Sequence, residues 1–279
     1  MAVAPALLAG CITLTAEPRA LLQKDDGTIA VRSIRCGGDI ARITPPDVST
    51  NRGLDPHAIR LITWNIHKQH DAGWQRDLTS FAADHDVVLL QEIVLDAPLR
   101  ELIAGAGLRW VMASSFLREA HDVGVLTAAR TLPLATCTER IVEPVLRLPK
   151  SAVITWFALR GEAQTLAVVN VHAVNFALSL GAYRAQFDAI VDALAAHHGP
   201  VVLAGDLNTW TDARSRVVSE AAERLGLVEI PFDDDQRRVF FGHQLDRIYV
   251  RGLERVTSSA ISVTSSDHNP VDAILRVAH

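Results

Sequence analysis

The sequence predicts a mixed α/β fold in which sheets pack face to face, and three observations predict it. Short apolar runs, Leu61 to Trp64, Val87 to Leu90 and Val201 to Ala204, are each closed by polar residues, as in strands buried within a sandwich. Further strand-like runs, Val123 to Ala128, Leu134 to Ile141, Ala152 to Leu159 and Thr165 to Val171, follow one another with few helical residues between them, which suits antiparallel meanders. Leu178 to His198 instead carries Tyr183, Phe187, Ile190, Val191 and Leu194 on one helical stripe. A chain of 279 residues can form one large domain, and a hydrophobic content of 49% with mean hydropathy +0.17 supplies its core.

Residues 1–58 read as an N-terminal apolar segment with a lead-in, and 59–279 as the domain. Ala2 to Ala9 is apolar, and Leu8-Ala9-Gly10-Cys11 is similar to a bacterial lipoprotein cleavage box that would lipidate Cys11. That placement puts the chain in the cell envelope, against a membrane. A positively charged start is missing, however, and an apolar stub on a cytoplasmic protein fits the same residues. The cell envelope is the expected location, ahead of the cytoplasm. No later stretch approaches the roughly 18 apolar residues of a membrane span.

The lead-in is broken by Asp25-Asp26-Gly27, Cys36-Gly37-Gly38 and Thr44-Pro45-Pro46-Asp47, leaving room for short strands or turns on the domain edge, or for a tether. Within the domain, Trp74 to Ala83 reads as a helix. Asp96-Ala97-Pro98 starts another through Gly105, with Pro in the first turn. Thr211 or Asp212 caps a third through Leu225, ended by Gly226. Asp246 opens the strand Ile248 to Val250, and Val271, Ala273, Leu275 and Val277 alternate along the last strand.

The cysteines Cys11, Cys36 and Cys137 are too few for a disulfide framework and lack zinc-ligand spacing. Cys36 and Cys137 either pair in an oxidising compartment or stay as buried thiols. A net charge of −5 and a pI near 6.1 give no overall basic field. That disfavours a processive nucleic-acid binder but leaves room for an enzyme holding one phosphate locally. A monomer is expected.

Chemistry gathers where the strands end. Asn65, Glu92, Asn170, His172, Asp206 and Asn208 close strands, while Asp246, Asp267 and His268 open them. The end of one strand and the start of its antiparallel neighbour share a sheet edge, so one edge can collect carboxylates, amides and two histidines. That is the outline of a metal-assisted hydrolytic site.

The ordered set Trp64-Asn65, Gln91-Glu92, Asn170-Val171-His172, Gly205-Asp206-Leu207-Asn208, Leu245-Asp246-Arg247 and Ser266-Asp267-His268 resembles the endonuclease/exonuclease/phosphatase superfamily, from about Ile59 to Val277. Asn170 to Phe176 and Asp234 to Arg238 look most like its bacterial YafD-like branch. The resemblance implies a four-layer α/β/β/α sandwich of two mixed, largely antiparallel sheets. It also implies a divalent-metal-dependent phosphoesterase, foremost a phosphodiesterase acting on DNA or RNA. A phospholipid, sphingomyelin or inositol-phosphate substrate is the alternative, and an inactive binding scaffold the third reading.

The same resemblance distributes roles. Asn65, Glu92 and Asp267 would hold Mg²⁺ or Mn²⁺ through oxygen. Asp246 would orient His268, acting as general base or, when protonated, on the phosphoryl oxygens. Asp206 would position the nucleophile or serve the leaving group, and His172 would act as acid or leaving-group donor. Asn170, Asn175 and Asn208 would contact substrate. Arg147 and Lys150 would replace a lysine that relatives often carry two residues after the glutamate, where this chain has Ile93-Val94. Arg237 and Arg238, beside Phe240-Phe241-Gly242, are further candidate contacts or solvated charges. Glu92 and His268 are expected within about 10 Å of each other, the span of one hydrated cation and a phosphate.

Overall fold

The computed structural model describes residues 12–24, 26–37, 52–176 and 179–278; Cys11 lies outside them. The lead-in supplies β1 (Ile12–Thr13), β2 (Arg19–Gln23) and β3 (Ile29–Arg32). Then come β4 (Ile59–Asn65), α1 (Trp74–Asp84), β5 (Val87–Val94), α2 (Ala97–Gly105), β6 (Arg109–Arg118) and β7 (His121–Ala129). The second half runs β8 (Ala135–Val142), β9 (Pro149–Ala158), β10 (Thr165–His172), α3 (Gly181–Leu194), β11 (Val201–Asp206) and α4 (Asp212–Leu225). Last are β12 (Val228–Glu229), β13 (Val239–Phe240), β14 (His243–Gln244), β15 (Asp246–Arg251), β16 (Leu253–Ala260) and β17 (Val271–Val277).

Two mixed sheets result. The first runs β16-β17-β4-β5-β7-β6-β2-β3, with β1 also on β6, and the second runs β12-β15-β11-β10-β9-β8. Only β4–β5 and β10–β11 pair in parallel among the described residues; the other pairs are antiparallel. Each parallel pair needs a crossover, and α1 and α3 supply them.

Period-two alternation sorts the strand side chains into three cores. Leu61, Val87, Leu89, Val168, Val202 and Ile248 meet between the sheets. Ile62, Trp64, Val88 and Leu90 turn outward against Trp74 and Leu78 of α1 and Leu99 and Ile103 of α2. Val169, Val171 and Leu203 turn outward against Phe187 and Ile190 of α3 and Val217 and Ala221 of α4. The four layers predicted by resemblance are these: helices, sheet, sheet, helices.

Local chemistry sets the helix ends. The Asp96 side chain accepts from Leu99 N, and Thr211 accepts from Arg214 N, each satisfying a first-turn donor. Gly226 closes α4 in the left-handed region at φ 65. The helix read over Leu178 to His198 is shorter in the structure. Its start falls partly outside the described residues, and it stops at Leu194.

Strands β6 and β16 were not legible in the sequence. A β-bulge interrupts β6 between Ser114 and Phe116, and another interrupts β16 between Arg255 and Thr257 on the outermost strand, so neither shows clean alternation. The lead-in adds edge strands to the first sheet, with β2 on β6. It then crosses to the second sheet, where Thr138 N donates to Ile34 O at 2.9 Å and a disulfide joins Cys36 to Cys137. Of the two alternatives for these cysteines, the structure has the bridge. Among the described residues no helix is long and apolar enough to cross a membrane.

Candidate active site

Both parallel pairs end on one edge of the sandwich, and β15 and the loop into β17 begin there. Register fixes the alignment: Asn65 lies opposite Gln91, His172 opposite Asp206, and Asp206 opposite Asp246. The backbone is bent to aim these side chains. Glu92 sits at φ 54 where the β5–β7 register shifts between Leu90 and Ile93, a bulge that turns its carboxylate into the site. Asn208 takes φ 49, tolerable for Asn. Gly205 has φ 138, and a Cβ there would meet Val171 O at 2.0 Å, so only glycine lets β11 close against β10 immediately before Asp206.

The core of the site is Asp246, His268 and Asp206. His268 Nδ1 is 2.8 Å from Asp246 Oδ2, and its Nε2 faces Asp206 Oδ2 at 3.9 Å. Burial opposes charge on His268, but Asp246 and Asp206 raise its pKa to about 10. The ring is therefore an imidazolium near neutrality, with no free lone pair to act as a base. Burial, joined by repulsion from Asp246, pushes Asp206 up to about 6 against the pull of His268. Asn65 Nδ2 donates to Asp206 Oδ2 at 3.1 Å, and Asn208 N donates to its Oδ1 at 3.0 Å.

A second group faces it. His172 Nε2 stands 3.5 Å from both Asp206 Oδ2 and Glu92 Oε1, and Lys150 Nζ is 2.8 Å from the same Nε2. Burial and the Lys150 ammonium hold the His172 pKa well below the ordinary histidine value. The Lys150 ammonium can donate to this ring nitrogen. Lys68 ion-pairs with Glu92 from the turn after β4, where His67, Lys68 and Gln69 take φ 47, 55 and 56. Burial acts to raise the Glu92 carboxyl, but His172, Lys68 and Lys150 together hold it well below the ordinary value. Glu92, His172, Asp206 and His268 form one unbroken chain of contacts, each link under 4 Å.

The site's loops are clamped from below. The buried Arg214 guanidinium lies between the Tyr183 and Trp210 rings, 4.5 Å from each, and donates to Val174 O at 2.6 Å, to Asn208 O at 3.2 Å and to Asn175 O. Trp210 Nε1 donates to Asn175 Oδ1 at 2.9 Å. Ser266 Oγ donates to Asn65 O at 2.6 Å and receives His268 N at 3.1 Å, tying the loop before β17 to the end of β4.

Several expectations need correction. Asn170 does not face substrate: its place in the alternation of β10 points it between the sheets, fully buried, where it receives Gln91 Nε2 at 2.7 Å and donates to Leu126 O at 2.9 Å. Arg147 is exposed on the turn after Glu143 and does not line the cavity, whereas Lys150, on β9, does reach the centre. Of the expected metal ligands, Asn65 donates to Asp206 Oδ2 at 3.1 Å and Glu92 stands 3.5 Å from His172 Nε2, so both are at the site. Asp267 is 59% exposed at 3.8 Å from His67 Nδ1, and Glu92 is taken by Lys68. Among the described residues the carboxylate and imidazole donors lying within 4.8 Å of one another are Asp206, Asp246 and His268. Arg237 is neutralised by Asp235 and Glu229 and braces Asp246 O, while Arg238 lines the cavity. Sequence reasoning missed Lys68, Glu143 and Arg214. Only Lys68 left a signal, a cation three residues beyond a strand-ending Asn.

The donor set suits a hard divalent cation. Two buried carboxylates stand side by side, and burial with repulsion from Asp246 pushes Asp206 up. Asp206 and Asp246, with Glu92 at the rim, are the oxygens that would hold it.

The chain's residues 62–268 match the Endonuclease/Exonuclease/phosphatase family, whose members depend on divalent metal and hydrolyse phosphoester bonds. A UPF0294 protein of Klebsiella pneumoniae strain 342 is 38% identical over 255 residues, covering 88% of this chain and 95% of that protein. The human Nocturnin catalytic domain with bound sulfate anion superposes with TM-score 0.61 at 16% identity, over 84% of this chain and 99% of its own. D. rerio TDP2 complexed with single strand DNA product does so with TM-score 0.58 at 16% identity, over 79% and 99%. The fold, the ordered motifs and the profile match agree: this chain belongs to the endonuclease/exonuclease/phosphatase family.

Proposed function

We propose that this protein hydrolyses a phosphodiester, with Mg²⁺ or Mn²⁺ as its metal. The observation that carries the reading is the Asp246–His268 pair beside Asp206, facing His172 and Glu92 across one cavity of about 480 Å³, with Lys150 Nζ 2.8 Å from His172 Nε2. Asp206, with its raised pKa, accepts the proton of an attacking water. The water oxygen bonds to phosphorus and the bond from phosphorus to the departing ester oxygen breaks. That oxygen keeps the electron pair and takes a proton from Lys150 Nζ on the His172 side. Asp246 holds the His268 imidazolium against the phosphoryl oxygens, where its charge counts most as negative charge develops. A divalent cation held at these carboxylates would further neutralise charge on the phosphoryl group.

Nucleic acid is the substrate the resemblance put first, and the DNA product in TDP2 fits that choice. In this chain the long cationic side chains lining the cavity are Lys68 and Arg238, with Lys150 adjoining, enough for one phosphate rather than a run. The reading therefore rests on a single phosphodiester held locally. The Cys36–Cys137 disulfide supports a cell-envelope location, since such bonds persist in oxidising compartments.

The test is hydrolysis of bis(p-nitrophenyl) phosphate, an oligodeoxynucleotide and an oligoribonucleotide with Mg²⁺. His268→Ala and Asp246→Asn should each lower the single-turnover rate by roughly 10² to 10⁴. The double variant should be little worse than the weaker single one, because the two groups act as a unit. An inactive wild type, or full activity in His268→Ala, would refute the reading.

A further inference from the structure

Glu143 is a buried carboxylate, 1% exposed, that the hydrolytic scheme above leaves unused. It follows β8 at the start of the turn into β9. Its Oε1 accepts from Asn175 N at 2.6 Å and Phe176 N at 3.2 Å, which anchors the loop after β10. Its Oε2 has no hydrogen-bond partner among the described residues. The fully enclosed side-chain polar atoms without a partner there are Gln23 Oε1 and Gln91 Oε1, so Glu143 Oε2 is not sealed into the packing. It opens instead onto a second cavity, of about 160 Å³, that Glu143 helps to line. A buried group that can only accept calls for a donor.

This cavity adjoins the catalytic one and shares Lys68, Glu92, His172, Asn175 and Phe176 with it. A group filling it therefore belongs to the ester whose phosphate sits in the first. Phe116 and Phe176 add aromatic surface to its aliphatic walls. Ser115 and Phe116 are consecutive yet both line it, which regular alternation forbids; the β-bulge between Ser114 and Phe116 brings both to it.

Charge narrows the choice of occupant. Lys68 and Lys150 balance Glu92 and Glu143 around the lining, so a neutral donor suits it better than another cation. A planar ring bearing an exocyclic amine meets each demand. Its faces stack on phenylalanine, and its amine N–H donates to a carboxylate oxygen. We infer that this cavity is a base-selective subsite, in which Glu143 Oε2 accepts from the exocyclic amine of an adenine or cytosine beside the scissile phosphate. The inference rests on the phosphodiesterase reading above and adds to it a specificity-determining residue.

The experiment follows hydrolysis of deoxydinucleoside monophosphates by chromatography with Mg²⁺ present. One position carries thymine and the other adenine, cytosine or their amine-free counterparts, purine and 2-pyrimidinone, in both orders. In one order, kcat/KM for adenine should exceed that for purine, and cytosine that for 2-pyrimidinone, by roughly 10- to 100-fold, as for a hydrogen bond to a charged acceptor. Glu143→Gln keeps a carbonyl oxygen for the two backbone donors but presents an amide N–H₂ to the cavity, so it should bring both ratios near one. A Glu143 that only braced the loop would lower all four substrates alike and keep the ratios. Ratios near one in the wild type in both orders overturn the inference, and so do ratios that survive in Glu143→Gln. Cleavage of bis(p-nitrophenyl) phosphate without cleavage of any dinucleotide also overturns it and leaves the phosphodiesterase reading standing. Failure on every phosphodiester removes both.

Discussion

Asn170→Leu separates a residue that holds the two sheets together from one that touches substrate. The wild-type amide spans the layers: it receives Gln91 Nε2 at 2.7 Å and donates to Leu90 O at 3.2 Å and Leu126 O at 2.9 Å, so β10 of the second sheet is joined to β5 and β7 of the first. Leucine is of similar bulk and leaves no large void, so the cost is chiefly the three lost hydrogen bonds. At about 0.5–1.5 kcal/mol each, the net loss is about 2–4 kcal/mol. Gln91 Nε2 keeps Thr63 Oγ1 at 2.9 Å, which holds the figure below the cost of a fully orphaned amide. Against a typical domain stability of about 5–15 kcal/mol this is a large share, equivalent to a fall in Tm of roughly 5–10 °C. Urea unfolding gives the free energy, and kcat/KM is read at a temperature where the variant is fully folded. The expected result is lost stability with the rate changed less than about three-fold. Gln91→Leu should be strongly non-additive with it, since the pair shares one bond. Unchanged stability with a rate loss above ten-fold would refute this account and return Asn170 to the substrate.

Other outcomes follow from the same geometry. His268, raised to about 10 against an unfolded value near 6.5, binds a proton more tightly in the folded state, so its contribution to stability is full below about pH 6.5 and lost as pH rises through about 10. A ring titration by NMR on metal-free protein checks this, and a midpoint near 6.5 would contradict the pairing with Asp246. Reducing the Cys36–Cys137 bridge, which closes a separation of 101 residues, should destabilise the fold by about 3–5 kcal/mol, read as a lower urea midpoint in reductant. Gly205→Ala should misplace Asp206, because its Cβ would meet Val171 O at 2.0 Å; the expected result is a rate loss larger than the stability loss implies, and a fully active variant would count against Asp206 at the centre. EDTA should abolish hydrolysis and Mg²⁺ or Mn²⁺ restore it; activity persisting in EDTA would remove the cation from the mechanism.

What the sequence showed, and what it hid, divides along one physical line. Side chains placed by local rules were legible: the apolar runs of β4, β5 and β11, the Thr211 cap, the Gly226 stop and the strand-end positions of Glu92, Asp206 and Asp246 follow from spacing alone. Partnerships between distant segments were not. Lys68 reaches Glu92 only because three successive left-handed residues fold the turn after β4 over the end of β5, a conformation no propensity anticipates. Arg214 sits on the buried face of a helix whose sequence gives a charged residue there no obvious purpose. The purpose is visible only once Val174, Asn175 and Asn208 present their carbonyls to it from two other loops.

Asn170 is the instructive failure. It stands with His172 among the strand-end polar residues, yet the two differ by one pleat repeat in depth. Alternation points both between the sheets, but His172 lies at the edge, where that interface opens onto the cavity, while Asn170 lies one repeat further in, where the sheets have closed. Depth along a strand, not residue type, decides whether a polar side chain meets substrate or the opposite sheet. By the same measure Asp206 and Asp246, last and first on paired strands, fall at the mouth. A buried polar layer of Thr63, Gln91 and Asn170 thus lies between the apolar core and the reactive edge. Its hydrogen bonds fix the two sheets against each other immediately behind the residues that must hold a phosphate to within a fraction of an ångström.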